Sequence, residues 1–159
     1  MVSRAEIEGG IQAGINRVES TFSQLTEEQL DTKVHDGPNG WTARHILAHL
    51  AGRHETYELL ISMAEESHGA PPGNLDMDSW NQRLVNERLK RSRDDLLREF
   101  RSTHERLIER VAGMRDDHLR RVLVLPNRET TLGDVLIGSG GMHSIQHAEE
   151  VEEALGIPK

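Results

Sequence analysis

The chain has 159 residues, a length typical of one domain with its own core, so we expect residues 1–159 to form a single domain. Its 27 acidic and 19 basic side chains give a formal net charge of -8, which disfavours binding to the phosphate backbone of nucleic acid. The chain has no cysteine to act as nucleophile or metal ligand, and no apolar run near the roughly 18 residues of a membrane span, so we expect a cytoplasmic protein without a membrane segment.

Two amphipathic helices are predicted in the first half of the chain. Residues 4–25 carry an apolar stripe at helical spacing, formed by Ile7, Ile11, Ile15, Val18 and Phe22. Residues 26–40 include the turn-forming run DGPNG and are predicted as a loop. A second helix is predicted to begin near Trp41 with Thr42 as N-cap and to continue to about Gly69, before a surface loop at residues 70–74.

Further helices are predicted in the second half. A short helix is expected with Asp78 or Ser79 as its N-cap, and a long one after Ser92 that ends at Gly113. Residues 120–125 form an apolar run that fits either an extended segment or buried coil. A last helix is predicted to start at residues 131–134 and to end near Gly156. The pattern predicts an all-α fold, a four-helix bundle with short additional helical or extended elements.

Two histidines lie four residues apart on the predicted last helix. His143 and His147 therefore share one helix face, where two imidazoles can bind one ion. The pair lacks the glutamate of the zinc-protease motif, because position 144 is Ser. His49, set in an apolar stretch of the second helix, is the best candidate for a third ligand. Three neutral imidazoles leave a coordination position open, as in a catalytic metal site.

Other interpretations of the histidines are open at this point. His143 and His147 could be solvated or internally hydrogen-bonded, and His45 could pair with His49 or lie on a solvated face. Glu150 could orient a ligand or be an ordinary solvated carboxylate. His54 and His104 could lie near the site or in the core. Three other histidines sit in predicted loops or helix ends and have no expected role: His35, His68 and His118.

A glycine-rich run precedes His143. Residues 138–141 (GSGG) lack the preceding strand and the lysine of a phosphate-binding loop, so we reject that interpretation. The run predicts close helix packing, a local break beside the site or room for a ligand. Ser139 and His143 could be taken for a nucleophile pair, but no orienting acid or oxyanion loop accompanies them in the sequence.

Two short motifs together resemble those of the DinB/YfiT-like superfamily: residues 40–51 (GWTARHILAHLA) and residues 143–147 (HSIQH). The resemblance extends over most of the chain in the order and spacing of the helices. In that family, the histidine of a His-Leu pair on the second helix and both histidines of the late pair bind one divalent metal. The resemblance therefore implies a metal site formed by His49, His143 and His147.

The resemblance also implies a chemistry. Family members are frequently S-transferases or isomerases that use a low-molecular-weight thiol. Residues 78–81 (DSWN) are similar to mycothiol-dependent maleylpyruvate isomerase-like members, which implies that Asn81 lines the pocket. The late pair of those isomerases can begin with Glu where this sequence has His143. His54 falls where some bacillithiol-transferase-like members have a histidine.

We therefore expect a divalent metal (Zn, Ni or Fe), a low-molecular-weight thiol as co-substrate and a small electrophile as substrate. Arg53 and Tyr57 are expected to line the pocket with Asn81, and Arg53 to meet an anionic group. Two alternatives are open, a metal-dependent hydrolase and a non-catalytic bundle that holds a metal or small molecule. A homodimer is also expected, because twofold association is the commonest symmetric assembly.

Overall fold

The computed structural model describes residues 1–37, 40–66, 71, 73 and 75–158. The predicted all-α four-helix bundle is confirmed, with a small two-stranded sheet as an extra element. The elements in chain order are α1 (Arg4–Ser23), α2 (Glu27–Leu30), α3 (Ala43–Ala51), α4 (His54–Glu65), α5 (Met77–Asn86), α6 (Arg93–Ala112), α7 (Asp116–Leu119), β1 (Val122–Leu125), β2 (Arg128–Thr131), α8 (Leu132–Ile137), a π-helical turn (Gly138–Met142) and α9 (His143–Leu155).

Helix α1 is the element around which the bundle is built. It packs against α6, α8, α9 and the π-helical turn, and α3 packs against α5 and α6. The five residues of its predicted apolar stripe are all fully buried. Buried apolar side chains from α1, α3, α4, α6 and α9 form one contiguous cluster, which fixes the positions of the helices that carry the site. Among the described residues, no helix combines the length and apolar character needed to cross a membrane.

Hydroxyl side chains cap the N-termini of several helices. Ser3, Thr42, Ser92 and Thr131 each accept a hydrogen bond from a backbone amide in the first turn of α1, α3, α6 and α8, which satisfies a donor that the helix leaves unpaired. The predicted cap at Thr42 is confirmed. The prediction for α5 is two or three residues late, since the N-cap is Asp76 rather than Asp78 or Ser79 and the helix begins at Met77.

The predicted second helix is in fact two helices, α3 and α4, separated at Gly52 and Arg53. The apolar stripe continues across this break, so periodicity alone does not detect it. At Gly52 the chain passes close to α5's end, and a Cβ there would lie 3.2 Å from the Arg88 guanidinium. Helix α4 ends at Glu65. The predicted end of the second helix, near Gly69, lies outside the described residues, and so does His68.

Two short elements depart from the sequence prediction. The segment predicted as a loop contains α2, whose N-cap Thr26 forms a capping box with Gln29. The apolar run at residues 120–125 resolves into β1, which pairs antiparallel with β2 so that Leu125 faces Arg128 across the turn. Strand β2 was not predicted because its residues, RETT, show no apolar alternation. The loop predicted at residues 70–74 is described only at positions 71 and 73.

The predicted last helix is divided by the π-helical turn. The amide of His143 donates to the carbonyl of Gly138, five residues earlier, where an α-helix would use a carbonyl four residues earlier. The added residue changes the rotation of α9 relative to α8. Helix α9 then runs to Leu155 and ends at Gly156, whose φ of 66° is left-handed, so the predicted end is confirmed.

The glycines of this turn allow close approach to α1. A Cβ on Gly141 would lie 2.5 Å from the carbonyl oxygen of Gly10, and a Cβ on Gly14 would lie 2.9 Å from that of Gly140. Close helix packing, one of the predicted roles of the glycine run, is therefore present. It holds the first turn of α9, where His143 stands, against α1.

We expect Gly141→Ala to lower the free energy of unfolding by about 1–3 kcal/mol, because backbone must move to admit the methyl group. Gly9→Ala is the matched control: a Cβ there meets nothing within 4 Å. It should stabilise the protein by roughly 0.5–1 kcal/mol through helix propensity. Urea unfolding of both variants measures the difference, and equal stabilities would contradict the close packing described here.

Candidate metal centre

Three histidines from two helices meet at one point. His49 lies in the last turn of α3, and His143 and His147 occupy the first two turns of α9. One ring nitrogen from each lies within 4.8 Å of the others. The Nε2 atoms of His49 and His143 are 2.9 Å apart, and the ring centroids of His143 and His147 are 4.3 Å apart. The structure thus brings together the three residues that the sequence analysis singled out.

Burial keeps these imidazoles neutral. Burial first, and the nearby Arg53 guanidinium second, lower the pKa of His49 to about 2 and that of His143 to about 3. Burial also lowers the pKa of His147, although the Glu150 carboxylate opposes that shift. A neutral imidazole has one unprotonated nitrogen with a free lone pair, so the three rings offer three ligand atoms at neutral pH.

The donor set fits a divalent transition metal. Two nitrogens that each lie about 2.0–2.1 Å from one tetrahedral ion are roughly 3.3 Å apart, so a small opening of the contact between His49 and His143 would admit an ion. The 2.9 Å contact is a hydrogen bond in which the Nε2–H of one ring donates to the Nε2 of the other. Imidazole nitrogen suits Zn, Ni and Fe, whereas Ca and Mg prefer oxygen ligands.

A carboxylate lies behind the third histidine. Glu150 Oε2 is 2.8 Å from His147 Nδ1 and 3.1 Å from His35 Nε2. This contact leaves His147 Nε2 as the free nitrogen of that ring. His35 also stacks on Trp41, with ring centroids 6.1 Å apart, and Trp41 in turn lies 5.1 Å from the His49 ring. His35, His147 and Glu150 form a second group whose ligand atoms all lie within 4.8 Å of one another.

His35 lies in a loop, as predicted, but nothing in the sequence indicated its contact with Glu150 beside the histidine group. His35 sits in a loop, where no periodic pattern marks a buried face, and its proximity to α9 depends on the bridge between Lys33 and Thr42 that folds the loop back. Glu150 carried a sequence signal, since it lies three residues after His147 on the same helix.

Two other histidines do not join the site. His45 Nδ1 lies 2.7 Å from Thr42 Oγ1 and takes part in the cap of α3. It belongs to neither metal-competent group in the described part of the chain, which argues against the alternative pair of His45 with His49. His54 is exposed at the start of α4.

A cleft of about 630 Å³ opens beside the three histidines. His143 lines it, as do Arg53, Ser139 and Gln146, so one member of the histidine group faces this space. Most of its other lining side chains are apolar: Leu59, Leu60, Met63, Leu75, Met77, Leu125, Val135 and Met142. The cleft therefore joins a metal-competent corner to an apolar wall.

A buried hydrogen-bonded chain supports the cleft from below. The His104 Nδ1–H donates to the Phe100 carbonyl at 2.8 Å, so its Nε2 accepts from the Tyr57 hydroxyl at 2.9 Å. That hydroxyl also lies 3.3 Å from the Ser139 carbonyl oxygen. Burial raises the pKa of Tyr57 and lowers that of His104 to about 4, so the phenol stays protonated and the imidazole neutral. This places His104 in the core, one of its two predicted locations.

Of the three residues expected to line the pocket, Arg53 is among the described lining residues of the cleft, and Tyr57 and Asn81 are not. Arg53 lines the cleft. Tyr57 lies behind Ser139 and is not among the described lining residues. Asn81 is half-buried on α5 and also outside that lining, and its Oδ1 is buried with no partner among the described residues. Its neighbour Trp80 donates to the hydroxyl of Thr56, which does line the cleft, at 3.2 Å.

Solved structures share this fold. YfiT from Bacillus subtilis, described as a probable metal-dependent hydrolase with an unusual four-helix bundle topology, superposes with a TM-score of 0.71 and 20% identity over 99% of this chain and 92% of that one. The mycothiol-dependent maleylpyruvate isomerase gives a TM-score of 0.74 and 14% identity over 94% of this chain, which spans only 61% of that enzyme's length.

A third likeness is to the colibactin self-resistance protein ClbS, solved in complex with a dsDNA. Its TM-score is 0.76 at 11% identity, over 99% of this chain and 98% of that one. At identities this low the three likenesses establish the fold, and what each protein binds is a property of that protein. Among curated protein sequences, none matches the chain.

The sequence itself matches a family. Residues 11–136 match the mycothiol maleylpyruvate isomerase N-terminal domain, a range that contains His49 and Arg53 and ends before His143. Because this range is well over half of the chain, and because the fold is that of YfiT and the isomerase, the chain belongs to the family of mycothiol maleylpyruvate isomerase N-terminal domains, within the DinB/YfiT-like superfamily.

Proposed function

We propose that this chain is a metal-dependent enzyme that joins a low-molecular-weight thiol to a small electrophile, either as a transferase or, with the thiol released again, as an isomerase. The observation that carries the proposal is the position of His143, which belongs both to the histidine group and to the wall of the cleft. A ligand in the cleft would therefore lie next to the ion. We propose His49, His143 and His147 as ligands of Zn, Ni or Fe.

The thiol must come from outside the protein. The chain has no cysteine, so it supplies no sulfur nucleophile of its own. When bound, a divalent metal would supply a Lewis acid that favours the thiolate form of an external thiol and holds its sulfur. The family's description names mycothiol, which supports a thiol as co-substrate.

The protein's own residues would order the reactants. The three imidazoles would occupy three coordination positions of an ion and would leave room for a further ligand. Glu150 fixes the ring of His147, and the apolar wall excludes water from the remainder of the ligand.

We further propose that residues 1–159 form one domain, since the helices share one core. We do not propose DNA binding, because the net charge of -8 would repel a phosphate backbone.

A panel of small electrophiles, assayed with and without mycothiol or glutathione, tests the proposal. We expect metal-loaded protein to consume thiol and electrophile together if it is a transferase, and to convert the electrophile with the thiol recovered if it is an isomerase. Chelator-treated protein is the control and should do neither. Turnover that is independent of thiol would instead support a hydrolase that uses water at the open position. Tight binding without any turnover would support a non-catalytic bundle.

A further inference from the structure

Arg53 is a buried cation at the inner end of the cleft. It stands at the break between α3 and α4, and only 7% of its surface is exposed. One terminal nitrogen donates to the Ser139 hydroxyl, and the guanidinium carbon lies 5.3 Å from the centre of the Tyr57 ring. Both neighbours are neutral, so neither balances its charge.

The positive charge of Arg53 has no counter-ion in the described part of the chain. The ion pairs found there join other arginines or histidines to carboxylates, and none includes Arg53. Its Nε is buried without a hydrogen-bond partner. The one carboxylate among the described lining residues of the cleft, Asp134, is exposed and accepts from Thr131 at 2.7 Å. An unpaired buried charge is costly to a fold, so its presence beside a cleft indicates that a ligand supplies the partner.

We propose that Arg53 binds a carboxylate group of the ligand, so that the cleft takes a small amphiphilic acid whose apolar part lies on the leucine and methionine wall. The planar guanidinium fork matches a carboxylate with two parallel hydrogen bonds, and the Nε without a partner belongs to that fork. The assignment deepens the proposed function and rests on it, because His143 and Arg53 line the same cleft and one ligand can reach both.

The carboxylate can belong to the thiol or to the electrophile, and two matched pairs of probes separate these sources. The first pair is 3-mercaptopropionate and 3-mercaptopropionamide, and the second is 4-phenylbutyrate and 4-phenylbutyramide. Calorimetric titration of metal-loaded wild-type protein should show tighter binding of the acid in at least one pair. Arg53→Gln should weaken the binding of that acid by about tenfold to a hundredfold, as expected for loss of a hydrogen bond to a charged group. The affinity for the matching amide should change by less than about twofold.

Arg106→Gln is the matched control, since it removes the same charge from an exposed position on α6 that is outside the described lining of the cleft. It should change the affinity for the acids by less than about twofold. An Arg53 effect confined to the mercapto pair assigns the carboxylate to the thiol, and one confined to the phenyl pair assigns it to the electrophile. Acid affinities that Arg53→Gln leaves unchanged in both pairs overturn the proposal.

Two further measurements on the same samples keep the conclusions separate. Metal content by elemental analysis reports on the proposed function, which fails if wild-type protein binds no metal. The change that Arg53→Gln causes in the affinity for 4-phenylbutyrate can still be measured in that case. The melting temperature reports on a purely structural role. We expect Arg53→Gln to melt at the same or a higher temperature, because it removes an unpaired buried charge. A large fall would assign Arg53 to the scaffold instead.

Discussion

Replacing any one of His49, His143 and His147 with Ala will remove most of the bound metal and the thiol-dependent turnover together. Each variant leaves two imidazoles, which hold an ion far more weakly than three. The loss of metal affinity should exceed the roughly 10- to 100-fold that removal of a supporting, non-ligating residue typically causes. Elemental analysis of protein purified without an affinity tag measures the metal, and thiol titration measures turnover.

The variants should stay folded, because the apolar stripes carry the core and these three rings add little to it. Circular dichroism should therefore show unchanged helical content. His54→Ala is the control, since His54 is exposed and outside the histidine group. Full metal content and full thiol consumption in all three ligand variants would show that the site assignment and the mechanism are both wrong.

Replacing Glu150 with Gln will weaken metal binding by roughly 10- to 100-fold, less than the loss of a ligand. The carboxylate accepts from the Nδ1–H of His147, which fixes the orientation of that ring and makes its other nitrogen a better donor to the ion. An amide keeps the size of the side chain but loses the charge. The dissociation constant, measured by competition with a coloured chelator, reports the change.

Glu153→Gln is the matched control for this second prediction. Glu153 lies on the same helix but is exposed, so its loss changes the general charge of α9 without affecting the His147 ring. It should leave the dissociation constant within about twofold. His35→Ala should have an effect between the two, because His35 holds Glu150 from the other side at 3.1 Å. Equal affinities for the Glu150 and Glu153 variants would remove Glu150 from the centre.

The parts of this structure that could be predicted from sequence are those with a repeating local signal. Helices α1 and α6 were predicted nearly to the residue because their apolar stripes are regular. Helix α6 is also bounded by Ser92 and Gly113, which mark its two ends in the sequence. The break at Gly52 and Arg53 was missed because the stripe continues through it. Strand β2 was missed because a polar strand at the surface has no apolar alternation to detect.

The candidate site follows the same division. His143 and His147 share a helix face by spacing alone, whereas the meeting of His49 with them depends on how α3 packs beside α9. The family resemblance supplied that long-range information, and their role as metal ligands stays a prediction. The contact of His35 with Glu150 joins residues 115 positions apart and has no local signal at all. The π-helical turn likewise depends on packing against α1, since its glycines permit several conformations.

The central claim is that one divalent ion is held by His49, His143 and His147, and anomalous diffraction from crystals of metal-loaded protein tests it most directly. Data would be collected on both sides of the absorption edge of the metal that elemental analysis identifies. The account predicts one anomalous peak about 2.0–2.2 Å from a ring nitrogen of each of these three residues, at the wall of the cleft. A peak at other side chains, or none in protein soaked with excess metal, would contradict it.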